Sequence, residues 1–144
     1  EDGLDKYVEM TRQLIDNYPN ALVLGFSAGG VVALRYAERY GWKNFRKIIT
    51  IATPLFGSPP ARFLKSRGET YKQLSPRSDY LDNLLMINPP KEKVLSIFSE
   101  FDLKAPFKNM STLNWPVMVV KSKSHGQIHS DYKILESIIN DSLK

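Results

Sequence analysis

The sequence predicts an α/β fold, with a parallel sheet of about four strands and flanking helices. Short apolar runs predict the strands, at Ala21–Phe26, Lys47–Ala52, Val94–Phe98 and Pro116–Val120. Segments with apolar residues at helical spacing alternate with these runs, which is typical of parallel strands joined by right-handed crossovers. Such connections place sequential strands side by side, so we expect the sheet order to follow the chain order.

The elements next to the first strand have clear sequence signals. Apolar positions at helical spacing predict a helix over residues 4–17, and a proline then ends it. The unbroken apolar run Ala21–Phe26 is typical of a parallel strand buried on both faces. A helix over Val31–Tyr40 follows, with Gly41 at its C-terminal cap. A last amphipathic helix is predicted over residues 131–142.

The stretch 53–92 is the least regular part of the chain. It is rich in proline and glycine near its start, and helical pieces are predicted near residues 60–66 and 78–86. We expect it to cover the sheet as a partial lid. Because the chain shows no internal repeat, low-complexity tract or linker, residues 1–144 are interpreted as one domain.

Composition excludes several classes of site. The chain has no cysteine, which excludes disulfides and thiolate-ligated metals. It has two histidines, His125 and His129, so any histidine catalyst is one of them. The net charge is +5, but the basic residues occur in short, scattered groups, so no nucleic-acid partner is predicted. Weak attraction to anionic surfaces or substrates is compatible with this charge.

One uncharged stretch approaches the length of a membrane span. Residues 17–34 lack charges, but Asn-Tyr-Pro-Asn and Ser-Ala-Gly-Gly are turn signals that divide the stretch into short apolar pieces. We therefore predict no integral membrane segment. Localisation stays open, because the absence of cysteine fits a cytoplasmic or a bacterial secreted protein.

The sharpest chemical signal is Gly25-Phe26-Ser27-Ala28-Gly29-Gly30. It matches G-x-S-x-G and lies between a predicted strand and a predicted helix, the context in which that pattern presents a nucleophilic serine. The glycines at positions 25 and 29 are expected to relieve collisions between strand and helix. The N–H of Ala28, which follows the serine on the side of the helix, is a natural oxyanion donor. The competing interpretation is an ordinary glycine-rich turn.

A nucleophilic serine needs a base, and the base needs an acid that orients it. His125 follows the fourth strand, where a loop at the carboxyl edge of the sheet would carry it towards Ser27, and His129 is the rival. Asp102 follows the third strand and is the candidate acid, although an ordinary turn-forming aspartate is the alternative. The rival acids are Glu100, Asp131 and Asp79. The predicted catalytic set is Ser27, Asp102 and His125, with no cofactor and no metal.

These segments resemble α/β-hydrolases, especially bacterial triacylglycerol lipases and esterases. The turn Gly25–Gly30 around Ser27 resembles the nucleophile elbow of this family, the sharp strand-to-helix turn that carries the serine. The other similar segments are Thr53–Pro59, Leu74–Leu81, Ser99–Asp102 with Pro106, and Ser124-His125 with the last helix. The chain order Ser, Asp, His is the one that this family uses. The resemblance implies hydrolysis of small-molecule or lipid carboxylic esters through an acyl-enzyme. Thioester hydrolysis or acyl transfer by the same triad, and a non-catalytic interaction module, are the alternatives.

The chain departs from the family pattern in three places. Leu55 replaces a histidine, Ser124 replaces the glycine before the catalytic histidine, and the strands that precede the elbow in the family have no counterpart before Ala21. One of those strands leads to the second oxyanion donor. We therefore expect the C-terminal part of a longer hydrolase or a reduced form of the fold. The edge at Ala21–Phe26 would then be covered by a second copy or by a missing N-terminal segment.

Overall fold

Four parallel strands form the centre of the protein. The computed structural model describes residues 3–107, 110–121 and 124–144. The strands are β1 (Ala21–Phe26), β2 (Phe45–Ile51), β3 (Val94–Ser99) and β4 (Val117–Val120), and the sheet order is β1-β2-β3-β4. All neighbouring pairs are parallel. The predicted α/β fold and strand order are confirmed, and the carboxyl ends of all four strands share one edge of the sheet.

Seven helices are described before, between and after these strands. They are α1 (Gly3–Ile15), α2 (Ala28–Tyr40), α3 (Pro59–Phe63), α4 (Glu69–Gln73), α5 (Asp79–Leu85), α6 (His125–His129) and α7 (Tyr132–Leu143). Short 3-10 turns occur at Lys65–Arg67, Lys91–Lys93 and Met110–Thr112. The helix predicted to start at Val31 begins three residues earlier, directly behind Ser27. Sequence reasoning missed α4, and it placed His125 in a loop rather than in α6.

The sheet has a core on each face. Ile48 and Ile49 are both fully buried, but adjacent strand residues point to opposite faces, so they belong to different clusters. The cluster with Ile48 contains residues of α1 and α2, among them Val8 and Leu34. The cluster with Ile49 contains Ile138 of α7. The sheet is thus covered by helices on both faces.

The first strand differs from the sequence expectation. Within the described residues β1 pairs only with β2, and Leu24 is 43% exposed rather than buried. A groove of about 540 Å³ lies beside the strand, lined mainly by apolar residues of α1, β1 and α2. The prediction of a strand from the apolar run is confirmed. Burial of the side of β1 that faces away from β2 requires a neighbour that the described residues do not supply.

The irregular stretch 53–92 contains α3, α4 and α5 joined by tight turns. The segment before α3 is linked to the segment after α4 by a hydrogen bond of 2.8 Å from the Ser58 N–H to the Leu74 carbonyl. Gly57 has φ 88° and packs so closely on Pro76 that a Cβ would lie 2.3 Å from the Pro76 Cα. The stretch is therefore folded, and its role as a partial lid stays a prediction.

No helix in the described part of the chain is both long enough and apolar enough to cross a lipid bilayer.

Candidate active site

Ser27 lies on a strained turn between β1 and α2. Its backbone has φ 51° and ψ −127°, a conformation that costs a non-glycine residue about 1–3 kcal/mol. The surrounding hydrogen bonds hold it there: the Ser27 N–H donates to the Ile51 carbonyl at 2.9 Å, and its own carbonyl accepts from the Gly30 N–H at 3.1 Å. The turn thus fixes the serine at the carboxyl edge of the sheet.

Two of the three glycines around this turn are sterically required. A Cβ at Gly25 would lie 2.6 Å from the Gly30 Cα, and a Cβ at Gly30 would lie 2.0 Å from the Thr53 hydroxyl oxygen. At Gly29 a Cβ would meet nothing within 4 Å, so the expectation that a side chain there collides is wrong. Gly29 faces outward from the first turn of α2, and the close contact falls on the next residue.

His125 bridges the serine to a carboxylate. Its Nε2 lies 3.1 Å from the Ser27 Oγ, and its Nδ1 lies 2.7 Å from the Asp102 Oδ2. The imidazole is 16% exposed, so most of its surface is shielded from solvent. Because a carboxylate can only accept, Nδ1 carries the proton towards Asp102, and in the neutral imidazole Nε2 is then the acceptor for the serine hydroxyl. The hydrogen bonds therefore run in one direction from serine to histidine to aspartate.

Asp102 is held by the loop that follows β3. Its side chain is fully buried, and its Oδ1 accepts the N–H groups of Lys104 at 2.8 Å and Ala105 at 2.9 Å. These two bonds form the turn that the alternative interpretation expected. They leave Oδ2 for His125, so the turn itself orients the carboxylate.

The rival residues lie elsewhere. His129 is exposed and its ring centroid is 4.4 Å from that of Phe26, while Asp131 caps α7 by accepting the Ile134 N–H at 3.3 Å. Glu100 and Asp79 are exposed. The structure brings together Ser27, Asp102 and His125 of the predicted residues and none of these four.

Ala28 is the first residue of α2. The first N–H groups of a helix have no acceptor within the helix, and they lie at the positive end of its dipole. The position of Ala28 directly after Ser27 suits an oxyanion donor, and that role stays a prediction. Among the described residues, no group of three or more histidine, aspartate or glutamate side chains is arranged to hold a metal ion.

The comparisons with known proteins find similarity in three dimensions. No family model and no curated protein matches the sequence. Among solved structures, an α/β-hydrolase enzyme from the sediment metagenome of the Mar Chica lagoon, Morocco, aligns with a TM-score of 0.68 at 12% identity, over 96% of this chain and 68% of that one. The chain has an α/β-hydrolase fold.

Two further structures with the α/β-hydrolase fold align over nearly the whole chain. An esterase from Exiguobacterium antarcticum gives a TM-score of 0.64 at 15% identity, over 99% of this chain and 74% of that one. A predicted CIB-like hydrolase from Thermoplasma acidophilum gives 0.66 at 15% identity, over 97% and 59%. The chain thus spans between 59% and 74% of the length of these three structures.

Sequence reasoning missed one feature of the site, the helix that carries His125. The signal was present, because Ser124 is followed three residues later by Gln127, which is the spacing of a reciprocal helix cap. The helix has only five residues, too few for a hydrophobic period to reveal it.

Proposed function

We propose that the protein is a serine hydrolase that cleaves carboxylic esters through an acyl-enzyme. The supporting observation is the continuous series of hydrogen bonds from the Ser27 Oγ through the His125 ring to the Asp102 Oδ2, with distances of 3.1 and 2.7 Å. A serine hydroxyl is a weak nucleophile until a neighbouring base accepts its proton. The α/β-hydrolase fold adds support, since the series occupies the carboxyl edge of its sheet.

Each group has a definite role in this reaction. The Ser27 Oγ attacks the ester carbonyl carbon while Nε2 of His125 accepts the hydroxyl proton. The resulting imidazolium is stabilised by the Asp102 carboxylate. The tetrahedral intermediate then collapses, the C–O bond to the alcohol breaks, and His125 returns the proton to the departing alcohol oxygen. Water repeats the sequence on the acyl-enzyme and releases the carboxylic acid, so no cofactor is required.

Charge on the carbonyl oxygen must be stabilised as it develops. The Ala28 N–H, at the start of α2, is the proposed donor. Hydrolases of this kind use two such donors, and loss of one costs about 10²–10³ in rate, or roughly 2.7–4 kcal/mol. The rate of the 144-residue chain therefore depends on whether a second donor reaches the site.

Two other functions are compatible with the same residues. The first is thioester hydrolysis, in which a thiol leaves instead of an alcohol, or acyl transfer, in which an acceptor other than water takes the acyl group from the acyl-enzyme. The second is a non-catalytic interaction module, which the exposed edge of β1 favours because such an edge pairs readily with another strand.

A substrate series separates these functions. Esters, thioesters and amides with the same acyl group are offered to the chain, to Ser27→Ala and to Ser142→Ala, a matched serine near the end of α7. We expect ester hydrolysis by the chain and by Ser142→Ala, and none by Ser27→Ala. Faster turnover of thioesters would favour the first alternative. Equal background rates for all three proteins would contradict the proposal and favour the interaction module.

We also infer that the free edge of β1 is covered in the working protein. The N–H and C=O groups of an edge strand remain to be paired, and Leu24 exposes apolar surface beside them. A second copy of the chain or a further strand would complete the sheet on that side. Small-molecule or lipid esters are the proposed substrates, and no nucleic-acid partner is proposed.

A further inference from the structure

The helix that carries His125 is closed at its start by two reciprocal hydrogen bonds. The Gln127 N–H donates to the Ser124 hydroxyl at 3.4 Å, and the Ser124 N–H donates to the Gln127 side-chain oxygen at 3.1 Å. Ser124 is the N-cap residue and Gln127 the third residue of α6, so the two bonds form a capping box. His125 is the first residue inside this cap.

A capping box contributes a larger share of the stability of a short helix than of a long one. Helix α6 has five residues, and forming a first helical turn is unfavourable because several dihedral angles are fixed for one hydrogen bond. The buried side chain of Ile128 anchors the far end of α6 in the core. At the near end, the capping box fixes the backbone next to His125.

The His125 ring must be placed accurately to do its work. Its two nitrogens bond Ser27 and Asp102 at the same time, and these residues lie on separate loops that follow β1 and β3. A displacement of about 1 Å of a reacting group is enough to slow catalysis strongly. The backbone of residue 125 must therefore be fixed to within a fraction of that distance.

We propose that Gln127 is a positioning residue, which acts through the capping box to hold the imidazole of His125 between Ser27 and Asp102. This inference rests on the proposed serine chemistry. Gln127 is exposed, so its side chain adds little to the core, and its effect on the site passes through its bond to the Ser124 N–H. A glutamate at position 127 preserves that acceptor, whereas an alanine removes it.

The test compares the chain with Gln127→Ala, Gln127→Glu and Gln13→Ala. Gln13 is a matched exposed glutamine near the end of α1, in the helix that precedes β1. The first readout is the rate of covalent labelling by a fluorophosphonate, well below the melting temperature of every variant. We expect Gln127→Ala to react about fivefold more slowly, as for the loss of one helix cap, and the other two proteins to react like the parent chain.

The second readout does not depend on activity. The chain has only two histidines, so the ring N–H that His125 donates to Asp102 is identified by NMR with His129→Ala as reference. We expect faster solvent exchange of this proton in Gln127→Ala and parental exchange in Gln127→Glu.

Unchanged labelling and exchange in Gln127→Ala would overturn the inference, and so would a Gln127→Glu variant that fails to restore both. If the parent chain itself is not labelled, the proposed function fails, and the exchange rates alone then decide the role of Gln127.

Discussion

Each of the three residues in the candidate site is held in place by a different feature of the local backbone. Ser27 is fixed by a strained backbone turn, Asp102 by two backbone N–H groups, and His125 by the first turn of a short helix. Each feature keeps one side chain from swinging away while leaving its reactive atom free. The arrangement is therefore formed before any substrate binds, which favours a reaction that needs exact placement.

The two histidines give the first prediction. His125→Ala removes the acceptor of the serine proton, so we expect ester hydrolysis to fall by about 10³-fold or more. His129→Ala removes only an exposed ring that stacks on Phe26, and we expect a change of less than about threefold. Steady-state kinetics at neutral pH checks both. A larger loss in His129→Ala than in His125→Ala would reverse the assignment of the base.

The proximity of these three residues could be predicted from sequence because each follows a strand. Parallel strands end at the same edge, so Ser27, Asp102 and His125 were expected to meet there. Their local conformations could not all be predicted in the same way. Crowding at Gly30 depends on the Thr53 side chain, which lies far away in sequence, so the local pattern does not show that Gly30 rather than Gly29 is the crowded position.

At the scale of elements, the packing of β1, α2 and the loop after β2 gives the second prediction. Gly30→Ala and Gly25→Ala force a Cβ into contacts of 2.0 and 2.6 Å, and we expect each to lower the free energy of unfolding by about 1–3 kcal/mol. Gly29→Ala meets open space and gains helix propensity, so it should be neutral or slightly stabilising. Urea unfolding of the three variants is the measurement. Equal destabilisation by all three would contradict the steric account.

A polar contact between α1 and α5 gives the third prediction. The Tyr80 hydroxyl donates to the Asp5 carboxylate at 3.0 Å, and the Arg35 guanidinium lies 4.3 Å from the centre of the Tyr80 ring. Burial, followed by the negative charge of Asp5, raises the pKa of Tyr80 to about 12. The folded state thus favours the neutral phenol more than the unfolded state does, since a tyrosine in the unfolded chain has a pKa near 10.

Because folding raises the pKa of Tyr80, this residue makes the free energy of unfolding fall as the pH rises. Stability from the neutral phenol is fully present below about pH 10 and is lost as the pH rises from about 10 to about 12. We expect Tyr80→Phe to lose about 1 kcal/mol of stability at pH 8 and to show a weaker decline at alkaline pH. Tyr132→Phe, at a tyrosine that is 81% exposed, is the control. Parallel stability curves for Tyr80→Phe and the parent chain would exclude the contact as a source of pH dependence.

Helix and strand positions were predictable where the local pattern alone decides them. The boundaries of β1 match the apolar run Ala21–Phe26 residue for residue. By contrast, α4 and α6 have five residues each, and their formation depends on packing and caps rather than on periodicity. The same limit applies to burial, because the pattern at Leu24 indicates an apolar environment without showing which neighbour provides it.

At the scale of the whole molecule, the edge of β1 gives the fourth prediction. The apolar groove beside this strand and the 43% exposure of Leu24 favour association through that edge. We expect the 144-residue chain to sediment as a dimer or larger species at micromolar concentration. A lysine in place of Leu24 should shift it towards the monomer, since charged residues on an edge oppose pairing. A soluble monomer with this edge bare to water would contradict the prediction.

The central claim is that Ser27, activated by His125 and Asp102, is the nucleophile of this α/β-hydrolase fold. Its most direct test is reaction of the intact chain with a fluorophosphonate, followed by mass spectrometry of the modified peptide. The account predicts a single phosphonylated residue, Ser27, with no labelling in Ser27→Ala and strongly slowed labelling in His125→Ala. Failure of the parent chain to react, or undiminished labelling of Ser27→Ala, would contradict it.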